Sequence, residues 1–436
     1  MAKLFMDTAP LRVSPEFRRI WLGNMFSAVG FQVTAVAIAL EIYALTQSPA
    51  AVGLTGLVAL PSMIVGGLYG GVIADHYDRR KVALTASMGM WILAMLVAAQ
   101  AWTNLGQVWV LYALIAIESL LQPVNQSARG AIIPRLVKRR QLPAANTLMM
   151  SVGTLGMSLG PLLGGLLVAQ VGYKWTYLVN VFAFMVGLWA LYKLPAMLPD
   201  NTGEKKTRGF TSVVQGLAFV KGNKVVGMSF VVDLLGMLFA QARPLIPALA
   251  ALTFGGGEAG AGFLLAAAPL GALAGLFFSG FLSGIVRQGR FLTLSYAGWG
   301  GGFLAFGLVV LAFDGRAVSA SVGENLGVLL LAAAPLAFMG WADALGGVYR
   351  STIIQTAAPD SMRGRLQGLF IITVAGGPNL GFALVGASAE AVGSGYTALA
   401  GGAAVVVLIA LATLLQPALW RYTPEPVEDT VQIPTV

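Results

Sequence analysis

Long apolar runs separated by short polar turns fill almost the whole chain. Twelve of them have about the 20 residues a helix needs to cross a bilayer. They fall near 20–45, 50–74, 82–102, 108–129, 144–169, 174–193, 225–247, 259–284, 291–313, 325–347, 366–390 and 396–420. None alternates strictly, and all are too long for barrel strands, so each is predicted to be a helix that satisfies its own backbone polar groups. The expected fold class is all-α integral membrane, with twelve transmembrane helices in two pseudo-symmetric six-helix bundles. The longest polar stretch, PAMLPDNTGEKKTRG, follows the sixth run and divides the chain. The organisation expected is an N-terminal bundle over 1–198, a linker over 199–224, a C-terminal bundle over 225–420 and a tail over 421–436. In the linker, Phe210, Val213, Val214, Leu217 and Val220 recur at helical spacing, which predicts a short helix on the membrane surface.

Composition agrees with the pattern. Of 436 residues, 57% are hydrophobic and 10% charged, with a mean hydropathy of +0.79, whereas soluble domains carry about a quarter charged residues. Of the 27 Lys and Arg, all but Lys174, Arg243 and Arg316 lie in the tails or in connections after even-numbered runs. The positive-inside rule places that side, both termini included, in the cytoplasm. The net charge of +9 then reflects topology and contact with anionic headgroups, not nucleic acid. Met1 to Arg19 contains no cleavable apolar segment, so no signal peptide is expected. Zero cysteines exclude disulfides and thiolate metal sites. One histidine cannot supply a paired-His zinc site or a conventional Ser-His relay, and no Gly-rich phosphate loop with its Lys is present. The sequence therefore predicts no enzyme, no cofactor, no metal, and energy drawn from a gradient instead of ATP.

The two halves echo one another. ARGAIIPRL after the fourth run matches YRSTIIQTA after the tenth, pairing Arg129 with Arg350, and GPLLG in the fifth matches GPNLG in the eleventh. GFLSGIVRQGR after the eighth run is a faded copy of GGVIADHYDRRKVAL between the second and third. Such symmetry suits a two-lobed transporter with its substrate between the lobes near the bilayer midplane. On these features the sequence resembles the major facilitator superfamily over its whole twelve-helix length. GVIADHYDRRK resembles the superfamily's loop signature between spans 2 and 3, and GMSLGPLLGG, from Gly156 to Gly165, resembles the span 5 signature of its proton-driven exporters. GLAFVKGNKVVG, FLLAAAPLGALAG and GWADALGGVYRSTIIQTAAPDSMRGRLQGL resemble the enterobactin-exporter branch of drug and siderophore efflux proteins.

Polar residues inside apolar runs carry the candidate chemistry. Glu118, Gln122, Asn125 and Arg129 recur at helical steps in the fourth run, with Pro123 beside them. Charge facing lipid is costly, so this face should look inward, and Glu118 is a candidate proton-coupling group. Asp233 in the seventh run is the second. Arg243, ten residues or about 15 Å further on, is too distant to pair with it. Asn24, Gln32, Gln122, Asn125 and Arg243 are candidates for lining a substrate cavity. Asp343 lies two turns before Arg350 on one face, which predicts an ion pair at the helix end. Glu41 and Glu390, near the outer ends of their runs, are expected in contact with water. Trp91, in the middle of the third run, is expected to be buried packing.

Small residues form stripes at helical spacing. Gly153, Gly156, Gly160 and Gly164 with Pro161 in the fifth run, Ser62, Gly66, Gly70 and Ala74 in the second, and Ala267, Gly271, Gly275 and Ser279 in the eighth are candidate sliding surfaces. The resemblance implies that the span 5 motif, Gly156, Gly160, Pro161, Gly164 and Gly165, packs between the halves and marks export. It also implies that Asp75 is tied across a cytoplasmic gate, with Arg129 as the candidate partner and His76, Arg79, Arg80, Asp343 and Arg350 in the same gate. His76 stands where the family has Arg, and Asp78 where it has Gly, so protonation of His76 is a candidate control of that gate. The reading that follows is a proton-coupled exporter of a small organic molecule, siderophore-like or drug-like, working by alternating access as a monomer in a bacterial inner membrane. Its partners would be substrate, protons and lipid. The alternatives are an importer or facilitator of the same fold, and a non-transporting receptor or scaffold.

Overall fold

The computed structural model describes residues 8–195, 210–277, 285–316, 319, 321–357 and 360–423. Among these residues all regular structure is helical. A short α1 (Ala9–Val13) precedes α2 (Pro15–Thr46), α3 (Pro49–His76), α4 (Arg79–Trp102) and α5 (Val108–Leu136), which are the first four runs. The starts follow local chemistry. Ser14, Ser48 and Asp78 each cap a helix by accepting a backbone N–H, and Pro at the first turn of α2 and α3 loses no helical hydrogen bond.

Two runs depart from one run per helix. The fifth and sixth form one element, α6 (Leu142–Tyr192), interrupted at Gly172 with φ 75° and ψ 174°. Glycine reaches that backbone state without a Cβ clash, so the chain turns there with no loop. The seventh run is broken. α8 (Lys224–Phe239) ends at Ala240, and a shorter α9 (Ile246–Leu252) resumes beyond Pro244. Proline disfavours helix in the residue before it, so Gln241 to Pro244 stays unwound. α7 (Phe210–Gly222) precedes α8 at a bend of 106°, with Asn223 capping α8. The remaining runs are α10 (Gly257–Phe277), α11 (Gln288–Ala312), α12 (Val322–Ala357), α13 (Asp360–Val392) and α14 (Ser394–Leu415). Nine of the described helices are long and apolar enough to span a bilayer, ten if α8 is joined to its bent neighbour, and α6 carries two of the runs.

Within the first six runs α2 packs along α6, α3 against α5, and α4 against both α5 and α6; α10, α11, α12 and α14 pack together in the last six. The two sets meet chiefly along α3 with α13 and α6 with α10. The glycine stripes mostly serve the first kind of contact, which corrects the expectation of sliding surfaces. A Cβ on Gly156 would stand 3.1 Å from the Ala28 Cβ, and Gly160 and Gly164 likewise abut Gln32 and Val33 of α2. Gly66 and Gly70 abut α5 at Leu120 and Val124, and Gly271 and Gly275 abut α12 at Ala337 and Trp341. Gly153 has open space beside it. These are pairs of helices that are not consecutive in the chain, and the stripes let their backbones touch.

The seams between the two sets use other small residues. Gly165 meets Glu258 and Gly262 of α10, while Gly262 meets Pro161. Gly53 and Gly56 abut Phe382 and Asn379 of α13, and Gly386 meets Pro49. Ser48 Oγ donates to Glu390 across the same seam at 2.7 Å. These approaches gather at the end of the molecule opposite the basic loops, called the far end below.

Candidate functional site

A cavity of about 250 Å³ lies between the two sets of helices. Phe31, Ile38, Met63, Ile115 and Phe382 give it apolar walls, and Gln32, Glu118, Gln122, Arg243 and Asn379 give it polar groups. The local sequence explains the two charges. Glu118 sits inside α5 on the side turned from lipid, as the cost of lipid exposure requires. Arg243 occupies the unwound segment between α8 and α9, where its guanidinium lies 5.8 Å from the centre of the Phe382 ring. The cavity thus offers one carboxylate, one guanidinium and three amides on an apolar frame, which is the make-up of a site that orients a small organic molecule.

Asn125 and Arg129, one and two turns toward the basic end, do not share that cavity. Asn125 Nδ2 donates to Ser87 Oγ at 2.5 Å and to the Ala83 carbonyl at 3.3 Å. Arg129 donates to Asn24 Oδ1 and, at 2.9 Å, to Ser87, and Asn24 Nδ2 reaches the Met149 sulfur at 3.4 Å. At this depth α2 and α4 close on α5, so the polar face becomes a tie between helices. The expectation that Asn24 and Asn125 line the cavity is corrected accordingly.

The matching position in the second set is charged on both sides. Arg350 pairs with Asp233 of α8, which is fully buried. Tyr296 interacts electrostatically with Asp233, and the Arg350 guanidinium lies over the Tyr296 ring at 6.0 Å. Asp343 interacts electrostatically with both Arg350 and Asp233. Arg350, expected to pair with Asp343 two turns earlier on α12, thus also reaches across to α8, where a buried carboxylate needs a counter-charge. Arg129 and Arg350 therefore occupy repeat-related places with different partners, a neutral Asn24 in one half and an ionisable Asp233 in the other.

Around the turn between α3 and α4, Asp78 caps α4, and the Arg79 and Arg80 side chains donate to the carbonyls of Ala131 at 3.3 Å and Tyr192 at 2.6 Å. Both carbonyls belong to the first six runs, so these arginines tie their own half. His76 is exposed. The side chain of Asp75 lies outside the described residues, as do positions 280–284 in the copy of this turn after α10, most of the polar linker and the tail beyond residue 423.

A family model described as a transmembrane secretion effector matches residues 6–427. The enterobactin exporter EntS of Escherichia coli is 31% identical over 428 residues, covering 98% of this chain and 97% of the relative. The chain belongs to this family of major facilitator superfamily transporters. The enterobactin exporter EntS of Citrobacter koseri is also 31% identical, with 97% of each chain covered. Solved structures agree in fold. The nucleoside transporter NupG superposes with a TM-score of 0.71 at 12% identity, over 94% of this chain and 100% of that one. A bacterial homologue of the iron transporter ferroportin, in an inward-facing state, superposes with a TM-score of 0.63 at 14% identity, over 94% and 99%.

Two features of the transporter escaped sequence reasoning. The break in the seventh run, which delivers Arg243 to the cavity, is signalled by Pro244 and Pro247 in an otherwise apolar run. Glu41 was expected at the water interface and is instead buried at 8% exposure. Its carboxylate accepts from Gln100 Nε2 at 3.0 and 3.1 Å and from the Tyr177 hydroxyl. Gln100 and Tyr177 lie 59 and 136 residues away, so no local spacing could announce the cluster. Glu390 is exposed, as expected.

Proposed function

We propose that this transporter is a proton-coupled exporter of a small organic molecule, siderophore-like or drug-like, in a bacterial inner membrane. The observation that carries the reading is the cavity between the two sets of helices, with Glu118 and Arg243 on its wall and its far end shut by the α3–α13 and α6–α10 seams. With the basic loops in the cytoplasm, a far end that is shut makes this the inward-facing state. The bundles 1–198 and 225–420 then rock about the cavity, and a proton on Glu118 favours one orientation over the other. Asp233, held by Arg350, is the second candidate for the coupling proton. The EntS relatives support export and a siderophore-like cargo.

Asp75 and His76 close the basic end in the outward-facing state, with Arg129 as partner to Asp75. Arg79 and Arg80 brace the turn, and Asp343 and Arg350 serve the corresponding place in the second half.

The test compares strains lacking and overproducing the transporter for accumulation of enterobactin and of a cationic dye. Overproduction is expected to lower cellular retention of at least one, and a dissipated proton gradient to abolish that effect. Equal retention in both strains contradicts export, and efflux that survives loss of the gradient contradicts proton coupling.

A further inference from the structure

Glu41 is a buried carboxylate that the cavity chemistry does not use. It lies on α2 three residues, about 4.5 Å of helix rise, beyond the cavity-lining Ile38, toward the far end. Its three hydrogen bonds come from neutral donors, Gln100 of α4 and Tyr177 of α6. No cation pairs with it among the described residues. Lys174, the basic residue of α6 nearest in sequence to Tyr177, is turned to the Trp102 ring at 6.0 Å. Tyr173 lies beside Tyr177, with ring centres 6.5 Å apart, and interacts electrostatically with both Glu41 and Glu258. Glu258 opens α10 at the seam where its carbonyl meets Gly165. On its own helix, Tyr43 faces Glu390 of α13.

A buried carboxylate without a counter-charge is tolerable when donors surround it or when it takes up a proton. This cluster is built for both. With Glu41 ionised, Gln100 turns its NH2 to the carboxylate, and the Gln100 Oε1 is buried with no partner. Rotation of the amide presents that oxygen to a protonated carboxyl, which then donates to it. The orphan acceptor is what the protonated state needs.

We propose that Glu41 is a proton-binding site at the far end of the transporter, separate from Glu118 in the cavity. Shut behind the α6–α10 seam in this state, it meets outside water when the far end opens, so it loads from the outside. Its purpose rests on the proposed alternation of access, but its existence is tested without any transported molecule, so the two readings fail separately.

The experiment is infrared difference spectroscopy of the full chain in lipid nanodiscs, titrated from alkaline to acid pH. The wild type is expected to gain the carbonyl band of a protonated carboxyl group that is missing in Glu41→Gln and present in Glu118→Gln. Tyr177→Phe, which removes one hydroxyl and keeps the packing, is expected to keep the band at a changed frequency. It decides the matter if Glu41→Gln does not fold. Identical bands in the wild type and Glu41→Gln, or a band frequency untouched by Tyr177→Phe, overturns the assignment.

Discussion

Buried charge in this transporter is handled in three different ways. Asp233 has a guanidinium, Glu41 has only neutral donors, and Glu118 faces the cavity. Removing one partner of a buried pair strands the other, at about 3–5 kcal/mol. Asp233→Asn should therefore lower the thermal unfolding temperature of the detergent-solubilised protein, and Asp233→Asn combined with Arg350→Gln should recover part of the loss. A double variant that loses the sum of the two single losses would show that the charges act independently. Glu118 should behave differently, since it ties no helices together. Glu118→Gln is expected to keep wild-type stability and lose gradient-driven transport at least tenfold, read as initial rates in vesicles. The inward placement of Glu118 was legible from the sequence, because lipid forbids the alternative. Which residues Asp233 and Glu41 bind was not, because each partner lies on another helix and hydropathy carries no information about helix rotation.

Among elements, two kinds of glycine contact do different work. Gly156, Gly160 and Gly164 bring α6 onto α2, so Gly160→Val should destabilise the first six helices themselves, by about 1–3 kcal/mol as overpacking usually does. Gly165 and Gly262 meet backbone to backbone across the α6–α10 seam, where a Cβ on Gly262 would stand 2.8 Å from the Gly165 Cα. Gly262→Val should leave the halves folded and hold the far end apart. The chain has no cysteine, so a single Cys at Ala39, on the cavity wall, reports this directly. Its labelling by a membrane-impermeant thiol reagent from the far side should rise severalfold in Gly262→Val, and unchanged labelling would show that this seam does not close that end. The spacing of the glycines announced close packing, but stripes at the same spacing serve both kinds of contact. Which neighbour each stripe meets depends on topology, and the largest stripes went to helices of their own half.

At the scale of the whole molecule, the fold was the most legible feature. Twelve apolar runs, an uneven distribution of Lys and Arg, and repeated segments all constrain one architecture, and family membership agrees with it. The sequence left the cavity undefined because its wall is assembled from helices of both sets, and one of its two charges rides on a break in the seventh run. On the proposed function, a shut far end and a charged central cavity describe one state of a cycle in which a proton gradient moves an organic molecule. The direct measurement is flux of enterobactin in proteoliposomes containing the purified transporter, with and without an imposed pH gradient, for the wild type and Glu118→Gln. The account predicts movement toward the acidic compartment that exceeds the gradient-free rate at least tenfold in the wild type and falls to that rate in Glu118→Gln. Transport of enterobactin at the same rate with and without the gradient would contradict it.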